Sequence, residues 1–266
     1  MTQPFIIDVH THLGAAQGFT APLGATDRFI SVMDDTHTAV SIVVAMPLLA
    51  RQFELGYQEM SEDLEKYPDR LRAYTVYDPT WPELSIEYMN RYQDREGFVG
   101  IKIHPAVHAV PPEDERYLPF WEFANERGAI ILTHSWSPDP GKPTQELSTP
   151  NRFVPLLEKY PNVKLILGHA GGREVGFRMA IEAVNRCENC WVDISGDSFG
   201  YRHLEWLVEK MGPGKILYGT DSNWIEARYQ YGHVLKSDLT SETKFKIFRE
   251  NAVKLFGSHL PTCSTT

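Results

Sequence analysis

The chain has 266 residues, is 42% hydrophobic and 23% charged, and carries a net charge of −9. Such usage excludes disordered, collagen-like and membrane-spanning classes, and the acidic balance argues against nucleic-acid or anionic-membrane partners. No apolar run approaches the ~20 residues that cross a bilayer, the first residues lack the basic and apolar regions of a signal peptide, and three cysteines cannot all pair, which together point to the cytoplasm.

Taken in chain order, short β-rich runs alternate with amphipathic segments. Strands are expected near Phe5–His10, Val40–Met46, Leu71–Tyr77 and Phe98–His104, then near Ala129–His134, Val163–Gly168, Trp191–Ser195 and Lys215–Gly219. Most are nearly continuous in Val, Ile, Leu and aromatics, the pattern of parallel strands covered on both faces. Between them, Leu118, Trp121 and Ala124 make a helical stripe ending at Gly128. Thr149 and Pro150 open a second helix with Phe153, Leu156, Leu157 and Tyr160 on one face, stopped by Pro161. Ser241 is placed to cap a last helix carrying Phe245, Phe248, Ala252 and Leu255 and closed by Gly257. Eight β/α alternations without a Ser/Gly-rich linker predict an α/β fold, a (β/α)8 TIM barrel, as a single domain over residues 1–266.

The loops divide by length. Helix-to-strand connections are short, at Gly128, Pro161–Asn162 and Gly212–Gly214. Strand-to-helix connections are long, at Leu13–Ala25, Pro105–Arg116, Ser135–Ser148 and Asp221–Thr240. In a barrel the long set gathers at the C-terminal rim, where active sites sit.

The ten histidines carry most of the functional signal. His10, His104, His134 and His169 each fall at or just past the end of a different expected strand, His12 lies two residues beyond His10, and Asp221 follows the last strand. On a strand, alternate side chains share a face, so His10 and His12 can meet one ion. Imidazoles with one carboxylate suit a divalent transition metal and leave room for water or substrate. The plainer alternative is a set of buried histidines bonded to backbone carbonyls.

The segments Asp8-Val9-His10-Thr11-His12, Gly100-Ile101-Lys102-Ile103-His104-Pro105, Thr133-His134, Gly168-His169-Ala170-Gly171-Gly172 and Gly219-Thr220-Asp221 together resemble the amidohydrolase superfamily. The nearest likeness is to its amidohydrolase-related branch, which holds metal-dependent hydrolases and the aminocarboxymuconate-semialdehyde and hydroxybenzoate-type decarboxylases. The resemblance implies one divalent ion, expected to be Zn2+, held by His10, His12, His134 and Asp221. It implies that His169 is a further ligand or a substrate-polarising group. Lys102, a bridging carbamylated residue in some relatives, is expected here to stay free, either as a rim salt bridge or as a substrate-anion contact.

Other residues divide between function and packing. His104 shares strand parity with Lys102 and is expected with it at the substrate. Trp136, Trp224 and Tyr229 can wall a substrate. Arg51, Arg152 and Arg173 are candidate carboxylate clamps, Arg173 being the best placed. Asp8, Asp193 and Ser195 share inward parity with the site and fit hydrogen bonds to metal ligands. Cys187 and Cys190, spaced C-x-x-C, fall on the opposite face and read as ordinary cysteines.

The expected activity is a metal-dependent hydrolase of a small-molecule amide, lactone or ester, with metal-bound water lowered from a pKa of ~15.7 toward ~7. Asp221 and His169 are its expected catalytic residues. The alternative is a metal-dependent, non-oxidative decarboxylase of a small unsaturated or aromatic acid. Histidinol-phosphatase-type phosphoesterases also open with D-x-H-x-H, but the late D-x-H they carry is missing here. A barrel with a purely structural metal leaves Asp221 without a task. A homodimer is compatible with the sequence.

Overall fold

A computed structural model describes residues 5–14, 26–196 and 200–261. It contains the eight strands β1 (Ile6–Leu13), β2 (Thr38–Ala45), β3 (Leu71–Val76), β4 (Phe98–Ile103), β5 (Ile130–Thr133), β6 (Lys164–Leu167), β7 (Cys190–Asp193) and β8 (Ile216–Leu217). They pair in sequence order, each parallel to the next. Helices lie between them, so the architecture is the (β/α)8 barrel. The strands are buried almost throughout, as their apolar continuity requires.

Closure falls to the shortest strand. Beyond its two-residue ladder, β8 reaches β1 through backbone bonds: Val9 N–H donates to Tyr218 O at 3.0 Å, Asp221 N–H to His10 O at 2.9 Å and His12 N–H to Ser222 O at 2.5 Å. Asp8 adds a side-chain tie, accepting from the Thr220 hydroxyl at 2.6 Å and its N–H at 3.2 Å. Burial pushes the Asp8 carboxyl up to about 8, against these bonds. On the other side, the last helical run widens to a π turn at Lys246–Glu250, and Ile247 O accepts from Tyr218 N–H at 3.1 Å. Asn251 Nδ2 donates to Ile216 O at 2.7 Å.

Several local details differ from expectation. Thr240, in extended geometry, caps the last helix by accepting from Thr243 N–H, and Ser241 is the first helical residue. Thr149 holds the N-cap position, yet its hydroxyl donates back to Glu146 O at 3.2 Å. The connection 221–240 contains a ten-residue helix, Ala227–Lys236, whose buried positions include polar Gln230, so its apolar stripe is weak. Most of the loop expected at Leu13–Ala25 lies outside the described residues. Cys187 and Cys190 are buried free thiols at the N-terminal end of β7, pushed up by burial and unsuited to attack.

Candidate metal centre

Position on the rim follows from the strand ends. β1 contributes His10 and His12, although a bulge between Asp8 and Thr11 interrupts strict alternation there. Asp221 follows β8 in a left-handed conformation, with φ at 62°. Its Oδ1 lies 3.0 Å from His12 Nε2 and 3.7 Å from His10 Nε2. His10, His12 and Asp221 are all buried, and one donor atom from each falls within 4.8 Å of the others.

These three atoms fit a cation better than they fit one another. Asp221 Oδ1 is buried without a properly directed hydrogen bond, despite its closeness to His12. Donors bound at ~2.1 Å to one ion stand roughly 3.0–3.5 Å apart, close to the 3.0 and 3.7 Å from Asp221 Oδ1 to the two imidazoles. Burial alone would raise the Asp221 carboxyl, but His12, His169 and His10 hold it well below the carboxylate range. Burial pushes both His10 and His12 down, keeping them neutral and able to ligate. Trp224 stacks flat on His12, with ring centroids 3.9 Å apart at 5°.

A second set, His10, His169 and Asp193, also clusters within 4.8 Å. Its carboxylate is already used: Asp193 Oδ2 meets His10 Nδ1 at 2.9 Å, and Oδ1 accepts from His169 N–H at 3.0 Å and Ser195 N–H at 2.9 Å. Asp193 therefore fixes the His10 ring and offers no open position. Gly219 packs tightly beside it: a Cβ there would lie 3.1 Å from both Asp193 Oδ1 and His10 Cβ, so these neighbours would have to give by a few tenths of an ångström.

The other expected residues take varied places. His134 stands apart from the tight group, with Nδ1 3.1 Å from His169 Nε2 and Nε2 2.8 Å from Gln145 Oε1. His169 and Ala170 both have left-handed backbones, φ 61° and 47°, strain of the kind that gathers at functional sites. Lys102 is buried with Nζ 3.0 Å from His10 Nε2, and burial lowers it to about 8. His104 stacks on His134 at 4.2 Å and uses Nδ1 to accept from Val107 N–H, so that nitrogen is committed to a local turn. Trp136 lies parallel to His134 at 5.9 Å, and the Arg173 guanidinium sits 4.9 Å over the Trp136 ring.

Arg51 is paired with Asp78 at 2.7 Å, and Arg152 with Glu113. Tyr229 is on the outer helix Ala227–Lys236, near His233. Gln145 carried no sequence signal beyond lying in a long rim loop. A cavity of about 360 Å³ is lined by Gly172, Arg173, Phe177, Tyr201, His203 and Trp206, and by none of the clustered His and Asp residues.

Comparison with known proteins places these observations. A gamma-resorcylate decarboxylase from Polaromonas sp. strain JS666 is 23% identical over 242 residues, spanning 74% of this chain and 73% of the relative. The structure of 2,6-dihydroxybenzoate decarboxylase with 2,6-dihydroxybenzoate superposes with a TM-score of 0.78 at 18% identity, covering 96% of this chain and 99% of the other. A dihydroxybenzoic acid decarboxylase from Polaromonas sp. JS666, solved with manganese and 2-nitroresorcinol, gives 0.77 at 19% identity, covering 96% and 97%. The 5-carboxyvanillate decarboxylase of Sphingomonas paucimobilis gives 0.76 at 13%, covering 96% and 99%. At these identities the structural likeness establishes the fold. The expected hydrolase is corrected by the same relatives: their named reactions are decarboxylations, the class held as the alternative. Both chemistries use a metal-centred rim on one barrel, so residue types at strand ends do not separate them. The family model described as amidohydrolase matches residues 7–258, and the chain belongs to that family.

Proposed function

We propose that this protein is a metal-dependent, non-oxidative decarboxylase of a small, hydroxylated aromatic acid, working as one barrel domain. The convergence of His10 Nε2, His12 Nε2 and Asp221 Oδ1 beside a buried lysine carries the reading. His134 is assigned as a fourth ligand from the opposite strand. A divalent ion bound there supplies a positive charge that holds substrate oxygens and favours the carbanion-like electron pair. Mixed nitrogen and oxygen donors suit Mn2+ as well as Zn2+, and a manganese-containing relative favours Mn2+ over the zinc first expected.

The chain's own groups divide the remaining work. Lys102 brings an ammonium toward substrate oxygens from inside the barrel. Trp136, backed by Arg173, and the stacked His104 and His134 rings offer flat faces to a planar acid. Gly172 allows this wall, because a Cβ there would meet the Trp136 ring at 2.3 Å. The bond from ring carbon to carboxylate breaks, its electron pair stays on the carbon, carbon dioxide leaves, and one proton is taken up at that carbon. Asp221, at the site's centre, is the assigned carrier of that proton, with His169 polarising the substrate.

The test is a panel of hydroxybenzoates and unsaturated acids, assayed for carbon dioxide release before and after chelation and after restoring Mn2+ or Zn2+. Metal-dependent carbon dioxide release supports the proposal. A metal-loaded protein that leaves every acid intact, or turns one over without releasing carbon dioxide, overturns it.

A further inference from the structure

Hydrogen bonds around the metal-binding histidines form a chain whose direction can be worked out. Asp193 is fully buried, and its Oδ1 already accepts from the His169 and Ser195 N–H groups at 3.0 and 2.9 Å. Its Oδ2 accepts from His10 Nδ1 at 2.9 Å, so that nitrogen carries hydrogen and Nε2 carries the lone pair. Ser195 Oγ lies 2.9 Å from both His10 Nδ1 and His169 Nδ1. His10 Nδ1 already donates, so the serine hydroxyl donates to His169 Nδ1. His169 then bears its proton on Nε2 and donates across 3.1 Å to His134 Nδ1. His134 in turn bears its proton on Nε2 and donates across 2.8 Å to Gln145 Oε1. The reverse polarity leaves the buried Ser195 hydroxyl proton without an acceptor, a costly arrangement.

Gln145 terminates this chain from the rim loop, and the loop does not depend on its side chain for shape. Trp136 N–H donates to Ser148 O at 3.1 Å and closes the loop base, Ala106 N–H donates to Ser148 Oγ at 3.0 Å, and Arg152 Nε donates to Glu146 O at 2.8 Å. The amide is thus delivered to the edge of His134 by a frame built from other residues.

We propose that Gln145 is a positioning residue for the metal centre: its carbonyl holds the His134 proton on Nε2, so that Nδ1 keeps the lone pair, which accepts from His169 Nε2–H and which a bound ion would take in its place. The inference rests on the metal reading above in assigning His134 as a ligand. Outer partners that fix a ligating imidazole typically change metal affinity by about 10–100-fold. Gln145→Leu removes the acceptor at nearly the same volume, while Gln145→Glu keeps an acceptor and cannot donate as an anion.

The first measurement uses the metal-free protein: imidazole nitrogen NMR shifts report which nitrogen of His134 is protonated. Hydrogen on Nε2 in the unchanged protein, lost to a mixture in Gln145→Leu, is expected. Hydrogen on Nδ1 in the unchanged protein overturns the assignment whatever the metal does. The second measurement is Mn2+ affinity by chelator competition, with thermal melting of each metal-free protein. Gln145→Leu should bind about 10–100-fold more weakly at an unchanged melting temperature, and Gln145→Glu should bind at least as well as the unchanged protein. Equal losses in both variants, or no loss in Gln145→Leu, overturn the proposal. Failure of the unchanged protein to bind Mn2+ or Zn2+ overturns the metal reading itself, and is distinguishable because the NMR result stands separately.

Discussion

Asp193 Oδ2 lies 2.9 Å from His10 Nδ1, and both side chains are at most 1% exposed. Because the other Asp193 oxygen already accepts two backbone N–H groups, the carboxylate can turn neither way without losing a buried bond. An asparagine in its place keeps its carbonyl on those N–H groups and turns its NH2 toward His10. That reverses the imidazole tautomer and puts hydrogen on Nε2, the atom facing Asp221. Asp193→Asn is therefore expected to weaken metal binding by about 10–100-fold, measured by chelator competition. Unchanged affinity would show that His10 ligation does not depend on this bond.

Asp221→Asn tests the proton role. The variant is expected to hold metal, more weakly, and to lose about 10²-fold or more in kcat, the scale of general acid–base contributions. Metal content measured in the same preparation separates this from simple metal loss. A fully metallated variant at the wild-type rate would leave Asp221 a ligand only and direct the search to His169.

Gly172→Ala tests the aromatic wall. The glycine has φ at 79°, and a Cβ would sit 2.3 Å from the Trp136 ring. Backbone strain of about 1–3 kcal/mol is expected, together with displacement of Trp136. Chemical denaturation reads the first and KM for the aromatic acid, expected to rise more than kcat falls, reads the second.

The histidine pair on the outer helices predicts acid sensitivity. His233 is pushed down to about 4 by burial and by His203, whose ring is 4.6 Å away. The unfolded chain takes up this proton near its ordinary 6.5, while the folded chain resists until about 4. Below 6.5 the unfolded state thus binds more protons, and folding stability falls as the pH drops through that window. Denaturation midpoints of His233→Gln, followed from pH 7 to 4, should decline less steeply than those of the unchanged protein. An identical slope would place the acid sensitivity in the other buried histidines.

What could be read from the sequence was periodic or punctuated. Eight apolar runs, short turns on one side and long loops on the other, specify a parallel barrel, because parallel strands must be covered on both faces and crossovers need helices. Once the strand ends are known, His10, His134, His169 and Asp221 are assigned to one rim by position alone. The helix Ala227–Lys236 escaped this reading because Gln230 interrupts its buried stripe.

Contacts between distant segments were decided only in three dimensions. His10, His12 and Asp221 form a tight donor group where β1 bulges and the chain turns left-handed at Asp221, while His134, just past β5, meets His169. That Asp193 fixes the His10 ring and has no oxygen to spare follows from two backbone N–H groups that reach it. Gln145 meets His134 because a rim loop is anchored through Ser148 and Arg152, neither of which marks the glutamine in the sequence. Strand periodicity is a local property of the chain, whereas the direction of a hydrogen bond depends on every donor and acceptor that folding brings within about 3 Å.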